Sequence, residues 1–270
     1  MRMSDAMARL RDQLRYEPTE KRVRAELGGR LVVDTTRAVL VWEPRRICPQ
    51  YAVPEEDLWA RLERAETERE TPEGVLHPGH PFTMHTTPGE SLTLTANGET
   101  RAAAAFRPAD PDLAGHVVLD FAAFDTWFEE DEPVRSHPRD PYHRVDMRAA
   151  SRHVRIAYQG RLLAETTSPT LVYETSLPTR FYVPREDLVG DLTPSDTKTY
   201  CPYKGEASYF SIAEKKDAAW TYEHPLPDAA PLKGLIAFYD EVMEVTVDGT
   251  TRTHPDTPVT RALREEFLTE

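Results

Sequence analysis

The chain has 270 residues, enough for one large or two ordinary domains, and carries a formal net charge of −13 dispersed along its length. That dispersal excludes an extended phosphate-binding surface, which needs clustered Lys and Arg, so no nucleic-acid partner is expected, although a local basic pocket is not excluded. Two cysteines without Cys-x-x-Cys spacing exclude a zinc ribbon or a thioredoxin-like site, and the 23 prolines against 12 glycines predict turn-rich β structure with stiff loops.

At the N-terminus, Met3, Met7, Leu10 and Leu14 recur at helical spacing, which predicts a short amphipathic helix within residues 1–19, stopped by Pro18. No apolar run reaches membrane-spanning length and the first residues lack a signal-peptide core, so a soluble, cytoplasmic protein without membrane association is expected. From Lys21 the period changes to two. Val23, Ala25 and Leu27 alternate with Arg22, Arg24 and Glu26, the pattern of a half-buried strand, and Gly28-Gly29 turns the chain into a hairpin partner over 30–34. Residues 38–43 form a third apolar strand. Pro54 followed by Glu55-Glu56-Asp57 suits a helix start, so a helix is predicted to Leu62. Residues 66–80, rich in Glu, Pro and His, are expected to be a solvated loop.

The second half of the chain repeats the first. His153-Val154-Arg155-Ile156-Ala157-Tyr158-Gln159-Gly160-Arg161-Leu162 lies over residues 22–31 without a gap, and Leu171-Val172 and Glu174 lie over Leu40-Val41 and Glu43. With a one-residue slip, Val183-Pro184-Arg185-Glu186-Asp187-Leu188 meets Val53-Pro54-Glu55-Glu56-Asp57-Leu58. Matches kept in order over this distance mean two copies of one domain of on the order of 100 residues. The predicted fold is mainly β: two tandem copies of a small, curled antiparallel β domain, each with a short helix. The predicted boundaries are an N-terminal helix in 1–19, domains over 20–132 and 151–250, an ordered strap over 133–150, and a tail over 251–270 with a short helix at 261–268.

Chemistry concentrates in residues 199–210, where a thiol, a proline, tyrosines, a lysine and a glycine share one turn before a strand. Pro202 fixes one backbone angle and Gly205 permits another that most residues resist, so the turn can aim Tyr203 and Lys204. Cys201 could be a nucleophile if Lys204, His143 or His224 lowered its pKa. His137, Asp140 and His143 have a plausible spacing for a metal, but Pro138 and Pro141 prevent a helix from presenting them together; no metal or other cofactor is expected. Asp240 and Glu241 follow an apolar strand, where neighbours point to opposite faces, so no paired acid site is expected there.

The blocks Arg180-Phe181-Tyr182-Val183-Pro184, Cys201-Pro202-Tyr203-Lys204-Gly205, Ala219-Trp220-Thr221-Tyr222 and Ala237-Phe238-Tyr239 resemble the signature of DUF427, a bacterial and fungal domain family of unknown function. The segment from His137 to Asp146 resembles the connector of its tandem members. The resemblance implies a tent-like, Mss4-like β topology, and the nucleotidyltransferase-like label attached to the family implies no established reaction. The first copy departs from the signature. Gln50 stands where Arg180 falls, and, aligned on the glycine, His85-Thr86-Thr87-Pro88-Gly89 replaces the Cys-Pro-Tyr-Lys-Gly block, with Ala104 opposite Trp220 and Phe106 opposite Tyr222. Framework residues must recur in both copies, whereas a site need exist only once. A ligand site is therefore expected in the second copy: Arg180 and Lys204 at its charged end, Tyr182, Tyr203, Trp220, Tyr222 and Tyr239 as its wall, and Cys201 beside them. Its ligand would be a small anion, nucleotide-like or phosphorylated, on a planar body. The alternative is a non-catalytic binding or assembly module. Enzymatic activity and oligomeric state are left open.

Overall fold

A computed structural model describes residues 1–67, 73–213, 215–253 and 256–268. The chain divides into two units, Met1–Asp140 and Pro141–Glu270. The first contains α1 (Met3–Arg11), β1 (Arg15–Pro18), β2 (Val23–Leu27), β3 (Arg30–Thr35), β4 (Val39–Trp42), β5 (Gln50–Pro54), β6 (Arg61–Arg64), β7 (Gly89–Ala96), β8 (Glu99–Pro108), β9 (His116–Leu119), β10 (Thr126–Glu129) and β11 (Glu132–Val134). The second contains β12 (Val145–Ala149), β13 (Val154–Tyr158), β14 (Arg161–Thr166), β15 (Thr170–Glu174), β16 (Arg180–Val183), β17 (Thr193–Cys201), β18 (Gly205–Ile212), β19 (Lys215–Thr221), β20 (Ile236–Phe238), β21 (Glu244–Val247), β22 (Thr250–Thr251) and α2 (Pro258–Leu268).

Each unit builds the same two sheets. The large one runs β1-β4-β5-β9-β8-β7-β6 in the first unit and β12-β15-β16-β20-β19-β18-β17 in the second. The small one runs β11-β10-β2-β3 and, read the same way, β22-β21-β13-β14. Strand for strand the two orders coincide, so the duplication extends to all eleven strands of each unit.

Burial follows the sequence periods. In β2 the burial alternates, with Val23, Ala25 and Leu27 fully buried, because only one face of the small sheet meets the core. All four residues of β4 are buried because the large sheet is covered on both faces. Leu40 and Trp42 join the inter-sheet core with Trp127 and Tyr51, while Val39 and Val41 join an outer layer with Phe82, Phe106 and Leu113. In the second unit Leu171, Phe181 and Phe238 face the inter-sheet core. The outer layer there is Val172, Tyr182, Tyr209, Trp220, Tyr222 and Ala237 under Ala229 and Leu232. At about 1.5–3 kcal/mol per large side chain, such layers supply the main favourable term of each unit.

Four expectations are corrected. The N-terminal helix ends at Arg11 without burying any residue, and the chain then forms β1 on the sheet edge, where Pro18 is tolerated because its missing N–H leaves no ladder bond broken. The helix expected after Pro54 is a single 3-10 turn, Glu55–Asp57, matched by Arg185–Asp187. There the Trp59 N–H bonds to the Val32 carbonyl at 2.8 Å and buried Leu58 bridges to Val33, so the backbone is drawn out into an extended path. Of the expected solvated loop, residues 68–72 lie outside the described residues. In its second half, however, Val75 and Leu76 are buried, and Leu76 exchanges backbone bonds with Arg45 and Ile47. Finally, Val145–Ala149, read as part of the strap over 133–150, form β12, the counterpart of β1.

Candidate functional site

The Cys201–Gly205 turn closes the β17–β18 hairpin, with Cys201 opposite Gly205. Gly205 has φ +104°, and a Cβ there would come within 3.3 Å of the Leu226 nitrogen and 3.4 Å of the His224 oxygen, so the turn requires glycine. The turn sends Lys204 inward. Its Nζ donates to Glu174 Oε2 at 2.5 Å, and the two side chains are only 11% and 7% exposed. His143 Nε2 lies 3.0 Å from the other oxygen, Glu174 Oε1, and the His143 ring stacks on Tyr203 at 4.5 Å. Burial pushes the Glu174 carboxyl up, but the Lys204 charge and the bonds from His143 and Lys204 outweigh it and hold the pKa at about 2. Burial pulls Lys204 down, yet the Glu174 charge raises it above its usual value. The Cys201 thiol is pushed up by burial, with Lys204 opposing, so it stays protonated at neutral pH.

The other predicted cation behaves alike. Arg180 is buried and binds Glu241 through two bonds of 2.7 and 2.5 Å, with Asp240 at 3.8 Å. Its guanidinium lies 5.8 Å from the Trp220 ring and 6.0 Å from Tyr239. Trp220 Nε1 donates to Tyr182 Oη at 3.1 Å, and burial raises the Tyr182 pKa to about 12. Asp240 and Glu241 do converge, contrary to the strand-alternation expectation, because β20 ends at Phe238 and they stand in the turn beyond it. Arg252 Nη1 reaches Asp240 at 3.1 Å. Three cations, Arg180, Lys204 and Arg252, thus meet three carboxylates, Glu174, Asp240 and Glu241.

Arg180, Tyr182, Cys201, Tyr203, Lys204, Trp220 and Tyr222 therefore gather around one aromatic layer, but each predicted cation already has a carboxylate of its own unit. The first unit repeats the plan with different parts. Glu43, the counterpart of Glu174, is buried and meets His85 Nδ1 at 3.1 Å and Arg46 Nε at 3.3 Å. Sheet register also corrects the copy-to-copy alignment. Phe106 faces Val118 as Trp220 faces Ala237, so Phe106, not Ala104, is the counterpart of Trp220. His85 stacks on Phe106 at 3.7 Å. A buried carboxylate gripped by a histidine and a cation is thus common to both units.

The first unit also holds a cavity of about 360 Å³ lined by Arg46, Cys48, Thr83, Asp120 and His137 among others, a size in the range of small-ligand pockets. Arg46 braces one wall by donating from Nη2 to the carbonyls of Pro81, Phe82 and Met84 at 2.9–3.1 Å. Burial raises the Asp120 pKa, against the pull of the Ala122 N–H and of Arg46 and His85. Cys48 Sγ lies 3.5 Å from His137 Nε2. Sequence reasoning read Cys48 only as one of two cysteines without Cys-x-x-Cys spacing, and His137 as a connector residue with a spacing plausible for a metal. Nothing local joins two residues that far apart, and the one signal was a thiol and an imidazole both flanked by prolines. His137 instead bonds Cys48 and the Pro138 carbonyl, and His143 bonds Glu174. Among the described residues no group of three His, Cys, Asp or Glu is placed to hold a metal ion.

Two paired antiparallel sheets, repeated in tandem around buried carboxylates, define a duplicated β-domain protein. The family described as Domain of unknown function (DUF427) matches residues 15–73 and 146–249, and the chain belongs to this family. The two matches begin at equivalent places: Arg15 lies opposite Trp42 in the first unit as Asp146 lies opposite Tyr173 in the second. A comparison with curated proteins gives no match. Among the described residues no helix is long and apolar enough to cross a membrane.

Proposed function

We propose that the protein binds a small polar molecule and that the first unit holds it. The observation that carries this reading is the 360 Å³ cavity, in which charged, thiol, imidazole and hydroxyl side chains share one wall system with Phe82 and Phe121. A module acting only as an assembly platform has no need of such a lining. A second reading places a small anionic, nucleotide-like or phosphorylated ligand in the second unit. It is favoured by the convergence of Arg180, Trp220 and Tyr239, but the anion would have to displace Glu241 or Glu174 from a buried cation.

A thermal-shift screen of metabolites on the full chain separates the two. Ala102 is exposed and lines the cavity, so Ala102→Trp should close its mouth without touching the core. Compounds that raise the wild-type Tm should lose their effect with Ala102→Trp and keep it with Lys204→Ala. The reverse pattern would move the ligand to the second unit. A screen without hits at millimolar ligand would sink both readings in favour of an assembly module.

A further inference from the structure

We infer that Cys48 and His137 form a nucleophile–base pair that accepts a small acyl group from an activated ester or thioester. This deepens, and rests on, the reading of the first unit's cavity as the ligand site. The Pro138 carbonyl can only accept, so the His137 Nδ1 that lies 2.8 Å from it carries a proton. In the neutral ring Nε2 is then the acceptor, and it lies 3.5 Å from Cys48 Sγ, within reach of an S–H donor. A thiol against a base whose far nitrogen is pinned by a third group is the arrangement that activates nucleophilic cysteines.

The surroundings fit that role. His137 is 8% exposed while Cys48 is half-buried, so the imidazole is shielded and the sulfur can be reached. Ser136, just before it, has φ +74°, a conformation uncommon for serine, and the His137 N–H is tied to the Arg135 carbonyl at 3.0 Å. The backbone thus fixes the ring where it is. Thr83, on the same cavity, has a buried Oγ1 without a hydrogen-bond partner among the described residues. Cys201 is half-buried too, but burial pushes its pKa up, and the groups acting on its thiol are Lys204, Glu174 and backbone N–H groups rather than an imidazole.

In the step itself, His137 Nε2 takes the Sγ proton as the sulfur attacks the carbonyl carbon. The tetrahedral adduct collapses, the bond to the leaving oxygen or sulfur breaks, and that atom departs with the electron pair and the proton returned from Nε2. Cys48 is left as a thioester, one alcohol or thiol is released, and nothing is oxidised or reduced.

The test is acylation of the full chain by p-nitrophenyl acetate, followed by release of nitrophenolate and by peptide mass mapping. We expect a burst of about one equivalent, with the acetyl group on Cys48. The burst should vanish in Cys48→Ser, persist in Cys201→Ser, and slow at least about tenfold in His137→Gln at neutral pH. If His137→Gln fails to fold, the wild-type pH profile decides. An ordinary thiol loses roughly fiftyfold in rate between pH 8.5 and pH 6.5, whereas Cys48 should lose less than about tenfold. Labelling of Cys201 or lysines as fast as Cys48, or an ordinary-thiol profile at Cys48, overturns the pair. If screening hits still depend on Ala102→Trp in that event, the cavity reading stands alone. If Cys48 acylates rapidly while no hit depends on Ala102→Trp, the pair stands and the binding reading falls.

Discussion

Glu174 and Asp240 are both buried carboxylates whose pKa burial raises, but their partners outweigh burial at Glu174 and not at Asp240. Glu174 has a folded pKa of about 2 against an ordinary 4.5, so its contribution to stability is complete above pH 4.5 and is lost as pH falls through about 2. That contribution is on the order of 3 kcal/mol. Asp240 is raised by burial to about 6, against the pull of Arg180 and Arg252, so the stability its neutral form gives is complete below 3.8 and is lost as pH rises through about 6. Glu174→Gln should therefore cost about 3–5 kcal/mol at pH 7 by leaving the Lys204 charge unpaired in the interior. The cost should shrink between pH 4.5 and pH 2, and Asp240→Asn at pH 7 should cost less. Urea unfolding across that range measures all three, and a Glu174→Gln loss below about 1 kcal/mol at pH 7 would refute the assignment. Glu174 was visible in the sequence only as a repeat match to Glu43. Its role depends on His143 and Lys204 arriving from other parts of the chain, which no local pattern encodes.

The strands were legible because each carries its own signal: period two in β2 and β13, unbroken apolar runs in β4, and glycine turns between them. Register was not. Ala103 and Asp217 both adopt positive φ, +50° and +51°, within β8 and β19, and shift the pairing with the neighbouring strand. Neither an alanine nor an aspartate announces such a bulge. It recurs at the same place in both units, so Phe106 was misplaced for another reason: the paired register makes Gly89 the counterpart of Ala207, not of Gly205. The N-terminal segment failed for a different reason. Residues 15–18 alternate too briefly to outweigh the helical spacing before them, and only pairing with Val39–Trp42 makes them a strand. Removing residues 1–19 should thus bare the β4 edge, where Val39 and Val41 are buried. We expect a lowered Tm and concentration-dependent association by light scattering. A truncated chain with the association state and Tm of the intact one would show that β1 contributes nothing to the sheet.

At the scale of the whole molecule, the duplication keeps the strand order and one buried carboxylate in each unit while the groups around that carboxylate diverge. The first unit, whose turn lacks the Cys-Pro-Tyr-Lys-Gly block, holds the described cavity, and the second, which carries it, uses its lysine in an internal ion pair. A chemically rich motif can thus be part of the framework, and a net charge of −13 is compatible with cations kept inside. The direct test of where function resides is amide hydrogen exchange of the full chain, with and without a saturating hit from the screen. Slowed exchange at residues 76–83, 120–122 and 136–137 is the predicted result, since these segments line the cavity. Slowed exchange confined to residues 199–209 and 218–222 would contradict it and place the ligand in the second unit.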